Sequence, residues 1–287
     1  MRSEVFFDIH PVFTLDEFHA ARAETGVKLS TSKNLLAKHV ASGRLVRVRR
    51  GLYATVPRGV SPEEATVDSY ILAGHLARDA VVAYHSALQF FGKTYSVWSR
   101  FHYLTRGRRR PTVVQGAEFI PVQDPAPLRI LEDRGGGIVE RPHAGGHVRV
   151  TTLERAMVDV LDEPERSGGW EEVWRSLEMI EYLDLDAVVA HALALGSALT
   201  VARVGLFLEQ HAEALMVDEW YFETLRGHVP RQPRYLDATH ASGRLVHPWN
   251  LVVPEYVLER GWRSRADGVA RPAGAWRGRG RVLAGGV

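Results

Sequence analysis

The sequence predicts an α+β protein, a small basic helix-and-ribbon unit followed by a larger mixed part that turns helical in its second half. Three observations predict it. Residues 28–58 hold eight basic and no acidic side chains, and their apolar spacing changes from helical to strand-like after Gly43. Residues 97–150 break into short β-rich runs separated by Gly, Pro or charge. From Thr151 onward apolar residues recur at i, i+3, i+4 and i+7, the period of one buried helix face. The expected division is residues 1–58, 59–255 (a small mixed sheet with helices to 150, then mainly helices with late strands) and a Gly/Arg-rich tail at 256–287.

Composition bounds what such a chain does. At 287 residues with 45% hydrophobic side chains, it has material for two or three domains with real cores. The net charge of +2 averages opposed regions. Residues 151–227 carry five basic and sixteen acidic groups, against the purely basic 28–58, which points to separate partners for the two ends. The absence of cysteine excludes disulfides, thiolate metal sites and a Cys nucleophile. The first residues, MRSEVFFDIHPVF, lack an apolar core of signal-peptide length, and no run reaches the ~18 apolar residues of a membrane span. A cytoplasmic location is expected.

In chain order, Thr14-Leu15-Asp16-Glu17 is a capping box, with Phe13 and Phe18 as its hydrophobic staple and a stop at Gly26. A second helix runs from about Ser30–Ser32 to Ser42, stopped by Gly43. Leu45–Arg49 and Leu52–Val56 form a ribbon turning at Arg50-Gly51. Helix, turn, helix and ribbon make a winged helix-turn-helix. Ser61-Pro62-Glu63-Glu64 predicts a helix start with Val67, Ile71, Leu72 and Leu76 inward, and a short helix spans Tyr84–Phe91. Strands are expected at Val97–Leu104, Thr112–Val122, Leu128–Leu131, Gly137–Arg141 and Gly146–Val150. Thr151-Thr152-Leu153-Glu154 is read as a further capping box, opening helices separated by Gly168-Gly169 and Gly196. Late strands are expected at 235–238 and 245–252. The tail, with seven arginines from Arg260, has little periodicity and is expected to be mostly disordered.

Major-groove readout needs donors near a helix N-terminus flanked by phosphate contacts. Ser32, Lys33 and Asn34 stand at that end, and Asn34 carries the donor–acceptor pair that reads adenine. Lys38, Arg44, Arg47, Arg49, Arg50 and Tyr53 complete the candidate DNA-binding set. A charge of one sign favours double-stranded DNA over a protein-interaction module of the same shape. A second cluster, Arg106, Arg108, Arg109 and Arg110, extends that footprint, binds RNA, or is an ordinary charged hairpin tip; the sequence leaves these open. Catalytic lookalikes fail. Phe91-Gly92-Lys93-Thr94 lacks the first glycine of a phosphate-binding loop, since Ala87 stands there. Ser30-Thr31-Ser32-Lys33 lacks partner motifs. His143 and His147 are better read as loop polarity than as ligands. No catalytic residue, metal or cofactor is expected.

Four elements together resemble the AbiEi-type antitoxins, the transcriptional regulators of abortive-infection AbiE toxin–antitoxin systems. The first is Gly43-Arg44-Leu45-Val46-Arg47-Val48-Arg49-Arg50-Gly51-Leu52-Tyr53-Ala54, the close of the winged helix. The second is Ala83-Tyr84-His85-Ser86-Ala87-Leu88 followed by Phe91-Gly92. The third is Val150–Asp159, with Glu154, Arg155 and Asp159, followed by Gly168-Gly169. The fourth is Ala202–Glu209, with Arg203, where Val204 replaces the usual Leu. The resemblance spans roughly residues 1–215. It implies an autorepressor binding operator DNA, pairing on half-sites, and a larger antitoxin domain that counteracts a nucleotidyltransferase-like toxin without requiring stable contact. The alternative is a nucleic-acid-processing enzyme, a nuclease or nucleotide-modifying protein, targeted by its winged helix. A purely structural winged-helix module is a third reading.

Overall fold

A computed structural model describes residues 3–22, 26–236 and 243–259. The expectation for the C-terminal tail therefore lies almost wholly outside the described residues. Among the described residues the architecture is mixed α+β, with three sheets.

The chain opens with α1 (Ser3–Ile9), β1 (Val12–Thr14), α2 (Leu15–Ala20), α3 (Leu29–Ala41), β2 (Leu45–Arg49) and β3 (Leu52–Thr55). Neither α1 nor β1 is predicted by periodicity, because seven and three residues are too short to display one. The capping box forms: the Thr14 amide donates to Glu17 Oε2 at 2.6 Å and the Glu17 amide to Thr14 Oγ1 at 3.2 Å. Phe13 and Phe18 flank it with ring centroids 6.0 Å apart. Arg50-Gly51 makes the two-residue turn between β2 and β3, and Gly51 takes the left-handed φ of +79° that such turns require.

The strand order is β1-β3-β2, so β3 is central. Side chains alternate across a strand, and here both faces are buried. Phe13 and Tyr53 face a local aromatic core with Phe6, Phe7, Phe18, Leu36 and Leu45. Val12, Leu52 and Ala54 face the opposite way, into the main core of the protein. The basic ribbon is therefore docked to the body by its rear face.

The predicted helix at Ser61 does not form. Ser61 and Glu64 bond each other in a turn. The backbone of Ala65 and Val67 is instead taken by the Gln115 side chain, at 2.7 and 2.9 Å. Helix α4 (Ser69–His75) begins where Asp68 accepts from the Tyr70 and Ile71 amides. Then follow β4 (Val81–Val82), α5 (His85–Phe90), β5 (Arg100–Leu104), β6 (Thr112–Val114), β7 (Ala117–Val122), α6 (Ala126–Arg129), β8 (Ile138–His143) and β9 (Gly146–Thr151). They build a six-stranded sheet ordered β6-β7-β5-β4-β9-β8, with parallel β4–β9 and β5–β7 pairs and the rest antiparallel. Residues 128–131, expected as a strand, belong to α6 and the turn after it. Prolines at 125 and 127 lack the N–H a ladder needs, but a first helical turn tolerates them.

The second half holds α7 (Leu153–Asp162), a 3-10 turn (Pro164–Ser167), α8 (Trp170–Leu177), α9 (Leu185–Ala194), α10 (Ala198–Gln210) and α11 (Glu219–Arg226). The cap of α7 is Thr152, whose hydroxyl accepts from the Arg155 amide; Thr151 is the buried end of β9. The expected capping box is thus one residue out of phase, and Glu154 instead accepts from the Asp184 amide at 3.4 Å. A small sheet, with β12 (Leu251–Pro254) between β10 (Arg234–Tyr235) and β11 (Gly243–Val246), precedes α12 (Glu255–Leu258). It packs on α10 where Gly205 leaves room for the Trp249 ring, whose Nε1 donates to Glu209 at 2.8 Å. Among the described residues, no helix is long and apolar enough to cross a membrane.

Candidate nucleic-acid interface

Burial sorts the nine predicted DNA-facing residues into two groups. Along α3, Leu36 and Ser32 point inward while Lys33, Asn34, Ala37 and Lys38 form the exposed face. Ser32 is fully buried and its hydroxyl lies 3.2 Å from His19 Nδ1, where it ties α3 to α2. It is therefore corrected from a base-facing donor to an interhelical contact.

Three more of the nine are occupied within the protein. Arg44 pairs with Glu4 at 3.2 Å and Asp8 at 2.7 Å, and donates to the Val56 carbonyl. Those carboxylates sit on α1, outside the acid-free window. Arg49 donates to the Leu76 carbonyl at 2.7 Å, reaching back to the body of the protein. Burial lowers its pKa and the nearby Arg109 charge lowers it further. Tyr53 is buried and stacks on Phe13 with centroids 5.9 Å apart. What remains exposed is Lys33, Asn34 and Lys38 on α3 with Arg47 and Arg50 on the hairpin; Lys28, at the cap of α3, is exposed beside them. None of these cations forms an ion pair with a described residue. Arg58, counted in the same basic window, pairs with Asp8 at 3.0 Å.

The second basic cluster turns out to be a neighbour of the first. The Arg109 charge acts on both Arg49 and Tyr103. The segment is anchored. The Arg106 amide donates to Asp79 Oδ2 at 2.7 Å, and its Nη2 donates to the Leu131 and Glu132 carbonyls. Thr105 Oγ1 donates to Asp79 Oδ1 at 2.7 Å. Burial works to raise the Asp79 carboxyl, but the Arg106 and Thr105 hydrogen bonds, with Arg134 nearby, outweigh it and hold the group below its usual value. Arg108, Arg109 and Arg110 stay exposed. These exposed guanidiniums and ammoniums are of one sign, without acids among them, which is the charge complementary to phosphate. Sequence reasoning could not bring the Arg109 and Arg49 charges together, because sixty residues separate them.

The residues singled out further along are internal. Arg155 is 1% exposed; its Nη1 donates to the Arg134 and Gly136 carbonyls at 3.0 and 2.6 Å, and its Nε lies 3.5 Å from Asp159. Asp159 also meets His191 Nε2 at 3.0 Å. Arg203 clamps the Leu161, Asp162 and Leu236 carbonyls and lies over the Trp170 ring. A Cβ at Gly168 would stand 2.8 Å from Trp98. Glu154 is half-buried at the start of α7. A network without any local signal in the chain joins His85, stacked on Trp98, to Glu172 at 3.1 Å, with Ser96 and Ser176 bonding the same carboxylate. Of the lookalikes, Lys93 donates to the Met179 carbonyl and His143 pairs with Asp68 at 3.0 Å. Among the described residues, no group of three or more His, Asp or Glu is placed to hold a metal.

Comparison with known proteins bears on the N-terminal unit first. Residues 5–56 match the family described as "Transcriptional regulator, AbiEi antitoxin", which covers α1 through β3 and confirms the resemblance over that stretch. A solved structure of similar fold is the RV2827C protein from Mycobacterium tuberculosis. It is 18% identical, with a TM-score of 0.51 over 86% of this chain and 87% of that one, a likeness of fold across both parts. No curated protein matches the sequence.

Proposed function

We propose that the chain is an antitoxin regulator whose N-terminal residues 1–58 are a winged helix-turn-helix binding operator DNA, and whose residues 59–255 counteract a nucleotidyltransferase-like toxin. The carrying observation is the acid-free exposed array Lys28, Lys33, Lys38, Arg47 and Arg50, within the stretch that matches the AbiEi family. In this reading α3 enters the major groove, Lys33 and Asn34 meet base edges, and Lys38 holds a phosphate. Arg47 and Arg50 grip the backbone from the hairpin, and Arg108–Arg110 continue the track. Arg44, Arg49 and Tyr53 hold the wing in place and do not touch DNA. Docking of the β1-β3-β2 sheet on the main core means that DNA bound by the wing also meets the larger part in fixed orientation.

The test is a gel-shift titration of the full chain against DNA from upstream of its own gene. Saturable binding that weakens steeply with salt is expected. Binding indifferent to salt, or no binding, overturns the DNA reading. Magnesium-dependent cleavage of that DNA would favour the enzymatic alternative. Protection of cells from the toxin encoded in the neighbouring frame tests the antitoxin half.

A further inference from the structure

Neither half of the proposed function uses a cavity of about 570 Å3 between the six-stranded sheet and the turn after α7, a volume within the range of small-molecule sites. Its floor is His102 on β5 and Ile120 on β7, register partners that share one face of the sheet; Phe101 and Phe119 stack on the other. The facing wall is the 3-10 turn Pro164–Ser167 with Asp162 before it. Arg203 pins that wall by donating to the Leu161 and Asp162 carbonyls at 3.0 and 2.8 Å.

Two independent observations converge on this cavity. His102 is 4% exposed and its ring bonds no described residue. Nδ1 is enclosed, so the ring meets the cavity through its Nε2 edge. Burial lowers the His102 pKa to about 3, and the Arg166 and Arg100 charges lower it further, so the ring is neutral at physiological pH and offers an N–H or a lone pair. The other observation is Tyr84, at φ +56° and ψ −140°, a conformation that residues with a Cβ rarely adopt. Such strain persists where the surroundings over-determine it, and it clusters at binding and catalytic sites. The Tyr84 ring lies 5.5 Å from the Arg166 guanidinium above it and 6.2 Å from the His102 ring, against one residue of the wall and one of the floor.

The polar groups left unspent say what fits. Arg166 gives Nε to Glu163, and its Nη1 and Nη2 make no hydrogen bond to a described residue. Asp162 accepts from Thr200 through Oδ1, which leaves Oδ2. Glu165 is exposed and pairs with no described cation. Carboxylates oppose a bare anion and guanidiniums oppose a bare cation, whereas a neutral ligand with donors and acceptors meets both. Guanine carries that pattern in one plane. Its O6 and N7 accept from the paired donors of a guanidinium, while N1–H and the N2 amino group donate to a carboxylate. We propose that this cavity binds a guanine nucleoside, with Arg166 on O6 and N7, Glu165 on N1–H and N2, and the base lying over Ile120 beside His102 Nε2. The site shares no residue with the DNA-binding set and does not rest on that reading.

The experiment is isothermal titration of the full chain with guanosine, with adenosine, cytidine and ribose as comparisons. Saturable guanosine binding is expected. Adenosine should bind about tenfold more weakly or worse, because adenine lacks N1–H and presents a donor where guanine presents O6. Cytidine and ribose should not bind. Arg166→Gln and Glu165→Gln should each weaken guanosine about tenfold, the loss of one charge-assisted pair. The melting temperature of Glu165→Gln should be unchanged, since that side chain is exposed. No saturable guanosine binding at about 1 mM, adenosine or ribose binding as tightly, or wild-type affinity in either variant overturns the proposal. If Arg166→Gln melts early through its lost contacts with Glu163 and Tyr84, Glu165→Gln decides alone, and full affinity there overturns the site.

Discussion

Replacing Arg47 and Arg50 together with alanine separates exposed cations from those the fold has occupied. Both side chains are exposed on the hairpin and neither pairs with a described acid. If each neutralises one phosphate, the slope of log K against log salt becomes shallower by about 1.8, at roughly 0.9 per contact. Between 50 and 200 mM salt that difference amounts to about tenfold less loss of affinity than in wild type. The assay is a set of gel-shift titrations at four salt concentrations with operator and unrelated DNA. Affinity should fall on both DNAs alike, because phosphate contacts carry no sequence information. Alanine at Arg44, whose guanidinium is engaged by Glu4, Asp8 and the Val56 carbonyl, should leave the slope unchanged in protein that remains folded. An unaltered slope in the Arg47→Ala/Arg50→Ala variant, or a change in Arg44→Ala as large as in the double variant, would refute the assignment of the wing.

Arg44→Ala should instead cost about 1–2 kcal/mol of stability, since two partly exposed carboxylates lose a partner; a melting curve shows this as a drop of a few degrees. Gly205→Ala should destabilise by about 1–3 kcal/mol or more, because the added Cβ overlaps the Trp249 ring; normal melting would contradict that packing. Asp159→Asn should be costlier, about 3 kcal/mol, as it leaves the buried Arg155 charge unpaired, and urea unfolding measures it. Acid sensitivity should trace partly to His102, whose pKa burial lowers from 6.5 to about 3. The unfolded chain binds a proton there in that window while the folded chain does not. Stability is therefore lost as pH falls from 6.5 toward 3, by about 1.4 kcal/mol per unit. His102→Gln should flatten that slope between pH 6 and 4.5, and an unchanged profile would show that the ring is protonated in the folded state.

The sequence by itself determined the elements with strong local signals. The Thr14 capping box and the Gly43 stop, the turn at Arg50-Gly51 and the buried face of α7 all depend on residues within a few positions of one another, so a window sees them. Its one-sign charge at 28–58 is likewise a local signal, and it marks the stretch proposed to meet DNA. Signals that propose a start without a competitor in view misled: Ser61 and Glu64 have the right chemistry for a helix, yet Gln115, about fifty residues on, takes the backbone. Tertiary structure alone decided which candidate residues face outward. Glu4 and Asp8 occupy Arg44 from 40 and 36 residues away, and Leu76 occupies Arg49 from 27. Ser32 and Tyr53 turned inward because α2 and Phe13 lie against them. The Arg109 charge acts on Arg49 from sixty residues away. A cation's availability depends on everything within a few ångströms of it, and in a folded chain those neighbours are mostly distant in sequence.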